Sequence, residues 1–288
     1  MALRPFIRLV KPGIVFGNLI SAAGGFLLAA RGQIDPRLFV AMAAGIALVV
    51  AGGCVFNNIV DRDIDAKMRR TRTRPMVLGE IAPAVAFLFG TALTLAGLAL
   101  LAGAANLLAA LLAAGGWAIY VGLYSLWLKR SSPHGTLVGS LSGAVPPIVG
   151  YCAVSGRLDA GAGLLFLMFA LWQMPHSYAI AIFRVEDYAA AGIPVQPVRL
   201  GVAAARRHII YYIIAFTLAA ALLSLVGYTG YAYLAVAALS GIYWLATAVS
   251  GYRALDERLW ARRVFACSIW SIMALSLAMA FDFHAWAF

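Results

Sequence analysis

The chain has 288 residues, 64% of them hydrophobic and 11% charged, with a formal net charge of +11. Apolar runs of about twenty residues recur along it, the length a helix needs to cross a hydrocarbon core of roughly 30 Å. A soluble core cannot absorb so many such runs, so the chain reads as an all-α polytopic membrane protein. The three cysteines (Cys54, Cys152, Cys267) lie far apart in apolar segments with no CxxC spacing, which argues against a disulfide framework or a zinc site.

In chain order, an arm carrying Arg4, Arg8 and Lys11 precedes a first span over 13–31, which reads as retained rather than as a cleaved signal. Further spans are expected near 37–57, 83–103, 106–125, 136–154, 161–182, 209–228, 230–250 and 264–282. With the N-terminus cytoplasmic and the C-terminus periplasmic, 19 of the 22 Lys and Arg residues fall on the inside, leaving only Arg31, Arg37 and Arg157 outside. This asymmetry supports nine spans and explains the basic excess through topology and anionic lipid, without nucleic acid. The absence of a long Arg/Ser-rich presequence favours a bacterial inner (plasma) membrane. The two long inside loops, after spans two and six, hold six of the eleven acids. That spacing suggests one domain over 1–288, made of two related four-helix halves (about 1–130 and 131–250) and a ninth helix at 264–282.

The densest charge is at 57–75, "NNIVDRDIDAKMRRTRTRP". Asn57, Asp61 and Asp65 recur every fourth residue, so on a helix they form one stripe, while Asp63 points to the opposite side. Carboxylates at membrane depth must be paired or bound to metal. Oxygen donors with room for water and substrate suit Mg²⁺, which usually bridges one or two carboxylates to a phosphate. The cations that follow (Lys67, Arg69, Arg70, Arg72, Arg74) suit the phosphate itself. No Gly-rich nucleotide loop is present, so the phosphate belongs to something membrane-soluble, and an isoprenyl diphosphate is the commonest such molecule. Farther on, Pro175 is expected to break or kink span six beside His176.

Asn57-x-x-x-Asp61-x-x-x-Asp65 resembles the first aspartate-rich motif of the intramembrane (UbiA-type) prenyltransferases. The segments "KPGIVFGNLISAAGGF" (11–26), "MRRTRTRP" (68–75), "GTLVGSLSGAVPPIVGY" (135–151) and "LWQMPHSYAIAIFRVEDYAAAGIPVQPV" (171–198) resemble its heme-farnesylating branch. The resemblance implies a nine-helix bundle around a cavity open to lipid. It also implies transfer of farnesyl from farnesyl diphosphate to a vinyl group of heme B, with addition of water, giving heme O for a terminal oxidase or a downstream heme A synthase. By position, Asn57, Asp61 and Asp65 would hold Mg²⁺, and Arg70, Arg74, Lys129, Arg130 and Arg184 would contact diphosphate. Where much of the superfamily has a second D-x-x-x-D, this chain has His176, Arg184, Glu186 and Asp187, which leaves open whether Asp187 holds a second Mg²⁺.

His176 is then a candidate catalytic residue or heme contact, against the alternative that it caps a backbone carbonyl. His208 is a second candidate heme contact, and Arg199, Arg206 and Arg207 are available to propionates or to lipid headgroups. Phe16, Trp117, Trp172 and Tyr178 line a prenyl channel or simply pack, Asn18 faces the cavity or bonds a neighbouring helix, and His134 and His284 read as loop residues. Three rival readings stand beside this one. A sibling enzyme would prenylate a small aromatic acid for quinone synthesis, a transporter would use the acids to carry ions, and an assembly factor would only hold heme.

Overall fold

The structure, a computed structural model, describes residues 3–283, so His284 lies outside the described residues. Among those residues nine helices are long and apolar enough to span a membrane: α1 (Pro12–Ala30), α2 (Pro36–Val60), α3 (Pro83–Ala104), α4 (Leu107–Ser131), α5 (Gly135–Ser155), α6 (Ala160–Phe183), α7 (Gln196–Leu225), α8 (Tyr231–Arg253) and α9 (Glu257–Phe281). Several starts are written locally. Asp35 accepts hydrogen bonds from the Arg37 and Leu38 amides with Pro36 at the first helical position, and Asp256 caps α9 in the same way.

Each helix packs against the next in sequence, and α9 returns to α1, so the bundle closes into a ring. Small residues let the backbones approach. A Cβ added to Gly25 would sit 2.0 Å from the Pro147 carbonyl oxygen, and one added to Gly150 would sit 2.0 Å from that of Ala22, so α1 and α5 cross in direct contact. Large apolar side chains such as Leu88, Leu111, Leu218, Leu239 and Trp270 face outward, as a lipid solvent allows. A short helix, Leu3–Val10, precedes α1 and tucks Leu9 inside.

The sequence expectations need three corrections. Span six does not break at Pro175, for α6 is helical from Ala160 to Phe183. Helical structure before span seven begins at Gln196, where Pro197 opens a short first segment, and after Gly201 the helix of α7 runs on through the polar turn Arg206–His208. Gly201 interrupts it with φ 81° and ψ 163°. Helix α4 contains a π-helical stretch over Ile119–Leu128, for which the sequence carries no signal.

Candidate active site

The stripe read from sequence survives a change of backbone. Helix α2 ends at Val60, Asp61 adopts φ −86° and ψ 4°, and a short helix resumes at Arg62–Asp65. The amide of Asp61 still bonds the Asn57 carbonyl (2.9 Å), and that of Asp65 bonds the Asp61 carbonyl (2.7 Å). Asn57, Asp61 and Asp65 are all buried, whereas the Asp63 side chain is 63% exposed.

Cations from three segments converge on this stripe. Lys129 pairs with Asp61 Oδ2. Arg74 Nη1 reaches Asp65 Oδ2 at 2.5 Å. Arg130 donates to both carboxylate oxygens of Asp63 at 2.7 Å and to the Val60 carbonyl at 2.5 Å. That fork holds the Asp63 carboxyl down at about 2. The Asn57 amide donates to Asp61 Oδ2 (2.7 Å) and approaches Ser125 Oγ (3.2 Å), which turns its Oδ1 toward Lys11 Nζ at 2.5 Å. One atom is left over: Asp61 Oδ1 is buried without a hydrogen-bond partner, with Arg130 Nη2 4.0 Å away.

Lys11 and Ser125 are site residues that sequence reading missed. Lys11 sits at the junction of the N-terminal helix and α1 with φ 51°, one of two non-glycine residues at positive φ among those described. Such a conformation costs of order 1–3 kcal/mol and clusters at functional positions. Loss of hydration, helped by Arg74, lowers the Lys11 pKa to about 8. Ser125 lies within the π-helical stretch, and π segments recur at functional sites.

The second polar loop comes to the first. Ile64 and Met68 pack with Ala191 and Ile193, flanked by Tyr188, which ties the two loops together. Asp187 accepts a hydrogen bond from the Arg69 amide at 2.9 Å. Glu186 is exposed and pairs with Arg258. Arg184 lies over the Phe183 ring at 5.4 Å, and Arg70 is exposed with no ion pair among the described residues. His208 is held by Gln196, with its ring 6.1 Å from that of Tyr178. Arg206 is committed to Glu257 at 2.7 Å and to the Tyr252 and Trp260 rings, whereas Arg199 and Arg207 are exposed.

A cavity of about 530 Å³ opens one helical turn deeper than Asn57, at Gly53 and Cys54. Its wall continues through Trp117 and Tyr120 of α4, Phe169, Trp172, Gln173 and His176 of α6, and Phe265 and Ile269 of α9. Asn18 and Ser21 of α1 also line it, so Asn18 faces the cavity. The volume and the mainly apolar wall suit an organic ligand rather than a bare ion. Thus a compact set of oxygens and cations caps one end of an apolar chamber.

The arrangement defines a class: a membrane-embedded site that holds an anionic group at one end and an apolar body within the bundle. The profile of the UbiA prenyltransferase family matches residues 18–278, and the chain belongs to that family. A protoheme IX farnesyltransferase of Chromohalobacter salexigens is 59% identical over 282 residues, covering 98% of this chain and 96% of its own. Protoheme IX farnesyltransferase 2 of Pseudomonas fluorescens is 56% identical, covering 99% and 97%. Among solved structures, a UbiA homologue of Archaeoglobus fulgidus bound to GPP and Mg²⁺ superposes with a TM-score of 0.70 at 19% identity, covering 96% of this chain and 99% of that one. A digeranylgeranylglyceryl phosphate synthase superposes at 0.78 with 20% identity, covering 96% and 97%. The fold is therefore that of the UbiA bundle, and the chain is a multi-pass inner-membrane prenyltransferase.

Proposed function

We propose that this enzyme transfers the farnesyl group of farnesyl diphosphate to a vinyl group of heme B, with addition of water, giving heme O and diphosphate. The observation that carries this reading is likeness at 56–59% identity, along nearly the full chain, to enzymes named for farnesyl transfer to protoheme IX. The rival substrate, a small aromatic acid, is less supported by these relatives.

The donor set fits a hard divalent cation. No cluster of three His, Cys, Asp or Glu side chains stands ready for a metal among the described residues. Mg²⁺ asks for less, typically one or two carboxylates completed by water and substrate oxygens. Asn57, Asp61 and Asp65 would hold it, and the unpartnered Oδ1 of Asp61 is an acceptor that lacks a donor. The chemistry the ion would supply there is Lewis-acid neutralisation of the charge on a departing diphosphate.

The remaining work falls to the chain. Lys129, Arg130 and Arg74, already beside the carboxylates, turn to the diphosphate when it enters, with Arg70 and Arg184 reaching in from the two loops. The apolar wall below the stripe takes the farnesyl chain and keeps water from the allylic cation. His176, on that wall, contacts the acceptor. The clusters from the two halves of the chain meet through Tyr188 and Asp187, which supports a two-half organisation. The distribution of Lys and Arg supports a cytoplasmic charged end and a periplasmic C-terminus. Heme O would pass within the bilayer to a heme A synthase or a terminal oxidase. The test is conversion of heme B by purified protein given farnesyl diphosphate and Mg²⁺, followed by mass spectrometry; unmodified heme would overturn the reading.

A further inference from the structure

Addition of water to a carbocation releases a proton, and the apolar chamber must provide somewhere for it to go. Among the described residues no Asp, Glu, Lys or Arg lines the cavity, and its titratable groups are Cys54, Tyr120 and His176. Of these, only the histidine presents a basic lone pair at neutral pH.

The hydrogen bonds around the ring favour one nitrogen as the carrier of that lone pair. Ser268 Oγ on α9 donates its single proton to the Phe265 carbonyl at 2.6 Å. A hydroxyl that donates there accepts in its 2.8 Å contact with His176 Nδ1. In that arrangement the imidazole is protonated at Nδ1, and Nε2 is the bare nitrogen. Nε2 has no hydrogen-bond partner among the described residues, yet it is not among the buried polar atoms left without one, so it opens on the cavity. The ring cannot swing away. It lies between Trp172 (centroids 4.7 Å apart, 26° between planes) and Phe265 (4.8 Å, 38°). The Trp172 indole is pinned by the same residue, donating to the Ser268 carbonyl at 2.8 Å.

We infer that His176 is the base that accepts the proton of the added water through Nε2, and that Ser268 is the positioning residue that fixes its tautomer and aim. This rests on the proposed heme farnesylation. The C1–O bond of farnesyl diphosphate breaks, and its electron pair leaves with the diphosphate. The vinyl π pair forms the new bond to farnesyl C1, which leaves a cation on the carbon next to the porphyrin. A water oxygen bonds that carbon, and one of its protons passes to Nε2. The imidazolium then returns the proton to solvent, and no oxidant or reductant enters. Gln173, three residues before His176 on the same face of α6 and also on the cavity wall, supplies a donor and an acceptor to hold the water.

Without the base, the same cation loses a proton to solvent from the adjacent methylene, the former vinyl terminus now bonded to farnesyl C1, and becomes an alkene lighter by one water. The readout is therefore the ratio of hydrated to dehydrated product, which a merely structural role does not move. Wild type, His176→Gln, Ser268→Ala and Ser268→Thr are supplied with heme B, farnesyl diphosphate and Mg²⁺, and the products are resolved by mass spectrometry. In His176→Gln the hydrated product should form about 10²-fold or more slowly, the range of general base catalysis, while the alkene share rises. Ser268→Ala should shift the ratio in the same direction but less, and it carries the test should the histidine variant fail to fold. Ser268→Thr, which keeps the hydroxyl, should restore the wild-type ratio. An unchanged ratio in both His176→Gln and Ser268→Ala overturns the inference. So does a Soret shift of bound heme in His176→Gln with an unchanged ratio, which would make the residue an iron ligand instead. A wild type that leaves heme unmodified fails earlier, overturning the proposed function and this inference with it.

Discussion

Replacing Lys129 with methionine keeps most of the side-chain volume and removes one charge from a buried pair. Lys129 and Asp61 are 13% and 1% exposed at their side chains. Without the ammonium, Asp61 keeps the Asn57 amide at 2.7 Å and Arg130 at 4.0 Å. Removing one partner of a buried pair typically costs about 3–5 kcal/mol. The surviving partners put this case at the low end, about 3 kcal/mol, or roughly 6–12 °C in melting temperature for a chain of this size. Loss of one charge-stabilising donor should also lower turnover by about 10²–10³-fold. The assay pairs thermal melts in detergent with heme farnesylation, each with and without magnesium pyrophosphate. That ligand should stabilise the wild type by binding the folded state, and the variant less. A variant that melts and turns over like wild type would refute both the burial argument and the diphosphate role of Lys129.

Other substitutions probe neighbouring parts of the account. Asp63→Asn removes a carboxylate from the exposed side of the stripe; it should keep near-wild-type turnover and lose no more than about 1 kcal/mol, the range of surface pairs, as read by the same melts. Lys11→Met should raise KM for farnesyl diphosphate more than it lowers kcat, since Lys11 holds the Asn57 oxygen from the helix junction rather than touching the allylic carbon; steady-state kinetics measure the split. Gly25→Ala places a Cβ 2.0 Å from the Pro147 carbonyl oxygen and should destabilise by about 1–3 kcal/mol or more, whereas Gly163→Ala meets nothing within 4 Å in α6 and should stabilise by about 0.5–1 kcal/mol; denaturation of the two variants side by side checks the contrast.

The spans were legible because length and apolarity suffice to specify a membrane helix, and the stripe because its four-residue spacing is a one-dimensional signal. The stripe held even though the helix breaks at Asp61, since the i to i−4 hydrogen bonds continue through the break. Residues placed by backbone irregularity were hidden. Lys11 reaches Asn57 through a left-handed turn, and Ser125 through a π-helical stretch, and neither departure leaves a mark in the pattern of apolar residues. At Pro175 the break half of the expectation fails, for α6 stays helical across it while packed along α7 and α9. The start of α7 was placed late because Arg206, Arg207 and His208 read as loop, whereas they form a polar turn of a continuing helix. His176 was legible as a candidate, but its partner Ser268 is 92 residues away, and only the packing of α6 on α9 brings the two together.

The most direct test of the central claim is product analysis of purified protein in detergent with heme B, farnesyl diphosphate and Mg²⁺, with Asp61→Ala and Asp65→Ala assayed in parallel. The account expects heme to gain a farnesyl group and one water in the wild type, with the product lost in both variants and on chelation. Heme left unmodified by folded wild-type protein, or product formed at undiminished rate by both variants, would contradict it.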